Sequence, residues 1–193
     1  PGSPSGPDEV RRAVLDAAAA LFAERGVAAV SLREIASAAD VQVSLVNRYV
    51  GSRDELVRAV FDDLAAAVAR DVADRPRQQH TFERDSPLGR WMVILAHWML
   101  TGQDPALALG QSNPVQAMVE VIERHCDLPP REARVRAAQI FGSALGWRLF
   151  EPYLLAAAGL AGETAADLHD ELTAIHQRIG MTPLDPAPHV PLA

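Results

Sequence analysis

Lysine is absent from this chain of 193 residues: all 18 of its basic side chains are arginine. We read the replacement as base-composition bias, but its chemical consequence stands either way. Each cationic contact is a planar guanidinium fork that meets a phosphate or carboxylate with two parallel hydrogen bonds, and not a point charge. Cysteine is nearly absent too. The single Cys126 excludes an internal disulfide framework and fits a reducing compartment. Aromatic residues make up only 5% while alanine abounds, which favours helix over strand along most of the chain. No run of eighteen apolar residues is present, so no membrane-spanning helix is expected. The opening PGSPSGPDEV has no basic region followed by an apolar stretch, so no secretion signal is expected and a cytoplasmic location is. A net charge of −7 argues against a protein that coats nucleic acid indiscriminately. Paired carboxylates, a nucleophile elbow and a phosphate loop are all missing, and no enzyme is expected.

What is present is concentrated in residues 31–56, SLREIASAADVQVSLVNRYVGSRDEL. Ser31 stands where its hydroxyl accepts from the backbone N–H of Glu34, and Glu34 stands where it reaches back, which makes a capping box. Leu32, Ile35, Ala36 and Ala39 follow at helical spacing. Ala39, Asp40 and Val41 make a turn. Val46 and Val50 then give a second short helix its buried side. Its other side carries Ser44, Leu45, Asn47, Arg48 and Tyr49, a mixture suited to base edges and phosphates in a major groove. Ser52 and Glu55 repeat the capping box at the start of a third helix. Residues 41–53 hold two arginines and no acid, so this face is locally positive.

Four pieces in this order, Ala18-x-x-Leu21-Phe22-x-x-x-Gly26, Ser31-Leu32-Arg33-Glu34-Ile35-Ala36, Val46-x-x-Tyr49-Val50 and Ser52-Arg53-x-x-Leu56, resemble the DNA-binding domain of the TetR family of bacterial transcriptional regulators. The resemblance runs from about Val10 to Phe61. It implies an all-α protein with an N-terminal helix-turn-helix domain and a C-terminal helical domain for ligand binding and dimerisation. It further implies a homodimeric repressor on a near-palindromic DNA operator, released by a small-molecule effector of unknown identity, with no other cofactor or metal. Carried over position by position, Arg33, Val43, Ser44, Leu45, Asn47 and Arg48 fall where relatives meet bases or the adjoining backbone, and Tyr49 and Arg53 where they hold phosphates. The chain departs from the family pattern at Asp40, where Gly is usual, at Gln42, a poor cap, at Asn47 and at Arg53.

The expected organisation is a disordered segment over 1–8, the DNA-binding domain over 9–55, a helical effector and dimerisation domain over 56–180, and a proline-rich tail over 181–193. In the second half, helices are expected from Asp54 to Ala73, from Leu88 to about Leu100, from Pro114 to Cys126, from Pro130 to a kink or break near Phe150 imposed by Pro152, and from Thr164 to Ile179 with Gly180 as the stop. Trp91, Leu95, Trp98, Met99, Met118, Trp147 and Phe150 are candidates for an apolar ligand pocket. Trp91, Leu95 and Trp98 share one helical face, however, which is ordinary core spacing, so core is expected for most of them. Ile140, Phe141, Ala144 and Leu145, with Gly142 and Gly146 four apart, are the candidates for a dimer interface packed against Leu168, Leu172 and Ile175. His125 beside Cys126, and His169 seven residues from His176, lack the further ligands a metal site needs. On residues alone two other readings stay open: a DNA-binding dimer whose second half only docks a partner, and, more remotely, a helical enzyme with a vestigial helix-turn-helix.

Overall fold

The computed structural model describes residues 4–74, 86–104, 106, 108, 110, 113–164 and 166–181. Among them are eight α-helices and one short 3-10 turn, with no strand. The helices are α1 (Pro7–Arg25), α2 (Leu32–Ala38), α3 (Val43–Tyr49), α4 (Arg53–Asp74), α5 (Pro87–Leu100), α6 (Pro114–His125), α7 (Pro130–Ala157) and α8 (His169–Met181), and the 3-10 turn covers Val27–Ala29. Of the loop expected from Arg75 to Pro87, residues 75–85 lie outside the described residues, and of the tail expected over 181–193, residues 182–193 do.

The N-terminal elements obey their local signals. Ser31 Oγ accepts from Glu34 N at 3.2 Å while Glu34 Oε2 accepts from Ser31 N at 2.8 Å, so the capping box forms. The same exchange joins Ser52 and Glu55, at 3.3 and 2.7 Å. Asp40 takes φ +53°, the left-handed backbone that a glycine would adopt more cheaply, and so closes the turn between α2 and α3. Helix α1 begins at Pro7, so part of the segment expected to be disordered is helical; proline in the first turn has no backbone N–H to leave unsatisfied. Helix α4 buries Leu56, Val57, Val60, Phe61, Leu64, Ala65 and Val68 on one side. All of that stripe but Val68 belongs to a core shared with α1, α2, α3, α5 and α7, running from Val10 through Phe61 and Trp91 to Phe141 and Ala144. The apolar interior is continuous across residue 55.

The C-terminal helices depart further from the sequence reading. Helix α7 does not break near Phe150 but continues through Pro152 to Ala157. Pro152 is exposed, so the N–H it lacks is missing from the water-facing side of the helix and not from the core. Helix α8 starts at His169 and not at Thr164, because Thr164 and Asp167 lock a separate turn: Thr164 N and Oγ1 donate to Asp167 Oδ2 at 2.8 and 2.7 Å. Gly180 lies inside α8 and does not stop it; its Cα faces Ile140, and its carbonyl accepts from Arg136 Nη1 at 3.3 Å. Arg136 is buried, also donates to Ile179 O at 2.9 Å, and pairs with Glu132. His176 of α8 is buried with Nε2 3.1 Å from Ser143 Oγ, and that burial pushes its imidazole pKa down.

Candidate nucleic-acid interface

Helix α3 is held by one buried side chain, Val46, which is fully enclosed in the core. The rotation of an α-helix then fixes which residues face out. Ser44, Asn47 and Arg48 are exposed, while Val43 and Leu45 are half-buried and pack on the core. Tyr49 is half-buried, and the Arg48 guanidinium lies 5.4 Å from its ring centroid, a distance at which the cation gains from the ring's negative face. Arg33 of α2 is exposed as well. The outward row of α3 therefore offers a hydroxyl, an amide and a guanidinium with no carboxylate among them. Gln42 caps α3 without a side-chain hydrogen bond and is exposed, so its amide is also available at this end of the helix.

Three arginines position this surface. Arg11 of α1 donates to the Tyr49 carbonyl at 3.3 Å, tying down the end of α3. Arg25 pairs with Glu34 at 2.7 Å and donates to Ala29 O at 3.0 Å, fixing α2 against the end of α1. Arg53, expected at a phosphate, donates from one guanidinium nitrogen to the Val27 carbonyl, which ties it to the fold in the free protein. The Ser31 backbone N–H and hydroxyl, helped by Arg25, hold the Glu34 carboxyl at about 2. The Ser52 backbone and hydroxyl lower Glu55 in the same way. Arg11 and Arg25 escaped the sequence reading because their partners lie 38 and 9 residues away. Gln42 did leave a signal, an amide where a helix cap belongs.

The residues proposed for a pocket are not gathered around one space. Trp91 and Trp98 are buried in the main core and Leu95 packs against it. Met118 lies against a second, smaller core formed by Val119, Ile122, Ala133, Ala137 and Ile140. Trp147 is half-buried, and Met99 and Phe150 are exposed at 47% and 58%. An open groove of about 1090 Å³ does exist, but elsewhere, between the end of α7 and the turn before α8, where Arg148, Glu151, Thr164 and His169 line it.

The proposed interface residues divide likewise. Ile140, Phe141 and Ala144 are buried inside the protomer, Leu145 packs on its main core, Leu172 is buried and Leu168 half-buried. Facing inward, they correct the expectation of a stripe open to a second copy, because α7 carries two apolar stripes and these belong to the inner one. The outer stripe is Gly142, Gly146, Phe150 and Tyr153, at four-, four- and three-residue spacing. A Cβ at either glycine would meet nothing within 4 Å, and Phe150 and Tyr153 are exposed. Ile175 of α8 is exposed too. Cys126 is half-buried, its thiol 3.7 Å from Gly180 O, and no group of three metal-ligating side chains occurs among the described residues.

Comparison with known proteins gives this geometry a family. Residues 14–60, from α1 through the first turns of α4, match the family described as bacterial regulatory proteins, tetR family. An HTH-type transcriptional repressor of Mycobacterium tuberculosis is 36% identical over 174 residues, covering 86% of each chain. The chain belongs to the TetR family. An HTH-type transcriptional regulator of Mycobacterium bovis matches to the same extent. The multidrug binding protein EbrR, in a crystal structure with malachite green, shares the fold with a TM-score of 0.60 at 20% identity, over 88% of this chain and 96% of its own. In this TetR-family transcriptional regulator, α2 and α3 are the two helices of the DNA-binding helix-turn-helix, and α5 to α8 form the helical second half.

Proposed function

We propose that this TetR-family regulator acts as a homodimeric repressor that reads a near-palindromic operator through α3 and leaves it when an apolar effector binds the second half. The observation that carries the DNA reading is the outward row of α3, with Ser44, Asn47 and Arg48 exposed and free of carboxylate neighbours on the same helix. Asn47 has the donor–acceptor pair that matches adenine, and Arg48 the fork that matches guanine. Arg33 adds a cation from α2. Repression is supported by the name of the M. tuberculosis relative. A second copy is supported by the outer stripe of α7, where two open glycines let helices approach closely beside exposed Phe150 and Tyr153. A small-molecule effector is supported by the malachite green bound to EbrR, and an apolar one by the aromatic core between α4, α5 and α7.

The mechanism follows from two-fold symmetry. Two copies of α3 fit successive major grooves only if they sit about 34–36 Å apart. An effector that favours a different separation shifts the population away from DNA, in proportion to its difference in affinity for the two states. In vitro selection on random duplex DNA, at a stated near-physiological salt concentration, tests the reading. A palindrome with half-sites one turn apart is expected; enrichment of a single half-site alone would remove the dimer. Gly146→Leu is expected to lower the mass seen by light scattering from dimer toward monomer, and an unchanged mass would take the outer stripe out of the interface.

A further inference from the structure

Trp91 and Trp98 sit on the same helix in the same core, yet their indole N–H groups are treated differently. Trp98 Nε1 donates to Asp104 O at 2.8 Å. Trp91 is 3% exposed, and its Nε1 is buried with no hydrogen-bond partner. Buried indoles ordinarily find an acceptor, and a buried donor left without one lowers stability, so an orphan of this kind asks for an explanation. Around Trp91 the neighbours are aromatic. Phe61 of α4 stands edge-to-face at 6.0 Å and 73°, and Phe141 of α7 at 5.6 Å and 77°, while Phe61 also meets Trp98 at 6.4 Å. Ala144, one turn on from Phe141 along α7, is fully buried and contributes only a methyl group.

Charge narrows the chemistry further. Among the described residues no carboxylate is buried, and the buried polar side chains are Arg136 and His176. Arg136 is engaged with Glu132 and the end of α8. A cation entering beside Trp91 would lose its water without meeting an opposite charge, and an anion would meet the same difficulty.

Building on the effector reading above, we propose that the effector is a neutral ring compound that carries one hydrogen-bond acceptor, and that Trp91 Nε1 donates to that acceptor between Phe61 and Phe141. Trp91 is then the residue that selects among apolar molecules, since an effector that parts Phe61 or Phe141 from it meets only hydrocarbon rings and one indole N–H that asks for oxygen. The dye bound to EbrR differs in charge and is not the expected ligand class.

Two shape-matched pairs test this by calorimetry: 9-fluorenone against fluorene, and benzophenone against diphenylmethane. The unaltered protein is expected to bind the ketone of at least one pair about fivefold more tightly than its hydrocarbon. In Trp91→Phe that preference disappears while hydrocarbon binding persists. Nitrogen-15 spectra of the unaltered protein give a second readout that does not depend on the variant folding: the Trp91 indole N–H moves downfield with ketone and not with hydrocarbon. Equal binding of ketone and hydrocarbon would overturn the role of Trp91 and leave the reading of an apolar effector standing. Binding of none of the four compounds by the unaltered protein would overturn both.

Discussion

The reading head, from α1 to the start of α4, and the last two helices hold their shapes by different means. In the head, short-range hydrogen bonds mark the boundaries. Two capping boxes start α2 and α4, Asp40 turns the chain between α2 and α3, and one valine seats α3. Beyond the local Thr164–Asp167 turn that precedes α8, α7 and α8 are tied together at long range. Arg136 reaches 43 residues to Ile179 O, His176 meets Ser143, and Pro129 caps α7 without a side-chain hydrogen bond. A surface that must fit a duplex of fixed geometry gains from local rules that leave its shape little freedom. Contacts of the second kind are ones that a shift of one helix can exchange.

The strongest way to break the contrast is to remove what joins the two regions. Phe61 is 1% exposed and contacts both Trp91 and Trp98 from α4. Phe61→Ala is expected to lower stability by about 3–5 kcal/mol in urea unfolding. Because the core is continuous across residue 55, far-ultraviolet and tryptophan signals should fall together; two separated transitions would make the reading head an independent unit. Next in size is Arg136→Ala, which strips the donors from the carbonyls of Ile179 and Gly180. A loss of about 1.5–3 kcal/mol is expected, with faster amide exchange confined at first to α8. Exchange that quickens in α2 and α3 as well would show that the ends of the molecule are not separate in this sense.

Ser31→Ala removes the cap of α2 and is expected to cost about 1 kcal/mol, read from the urea midpoint. A smaller effect sharpens the same point through pH. Glu34 titrates at about 2 in the folded protein, below its ordinary value of 4.5, so its contribution is complete above pH 4.5 and fades as pH falls toward 2. Melting temperatures recorded from pH 5 to pH 2 should therefore fall less steeply in Glu34→Gln than in the unaltered chain. Identical slopes would mean the capping box adds nothing in solution.

The same contrast explains what was legible in the sequence. The capping boxes, the turn at Asp40 and the outward side of α3 could be read because each involves residues within a few positions of one another. Arg53 could not be placed, because its tie to the Val27 carbonyl spans 26 residues and nothing near Arg53 announces it. The long helix was found but misjudged at Pro152, since sequence shows a missing N–H and not which side of the helix meets water. Its apolar stripe was read as one surface when there are two. Ile140, Phe141 and Ala144 serve the interior, and the outer stripe of Gly142, Gly146, Phe150 and Tyr153 emerges only once α5 and α6 are in place. The aromatic residues around α5 were rightly expected to be mostly core, although spacing alone could not show that one indole N–H among them lacks a partner.

The central claim is that the outward face of α3 reads bases while Arg53 is engaged by the fold. It is tested most directly by repeating the selection on random duplex DNA with Arg48→Ala and Arg53→Ala beside the unaltered protein, at one salt concentration. The account predicts that Arg48→Ala loses preference at one base-pair position in each half-site and keeps the rest of the motif. Arg53→Ala should keep the whole motif and show a lower melting temperature. Uniform weakening of Arg48→Ala on every sequence, with no position relaxed, would make Arg48 a phosphate contact and contradict the account.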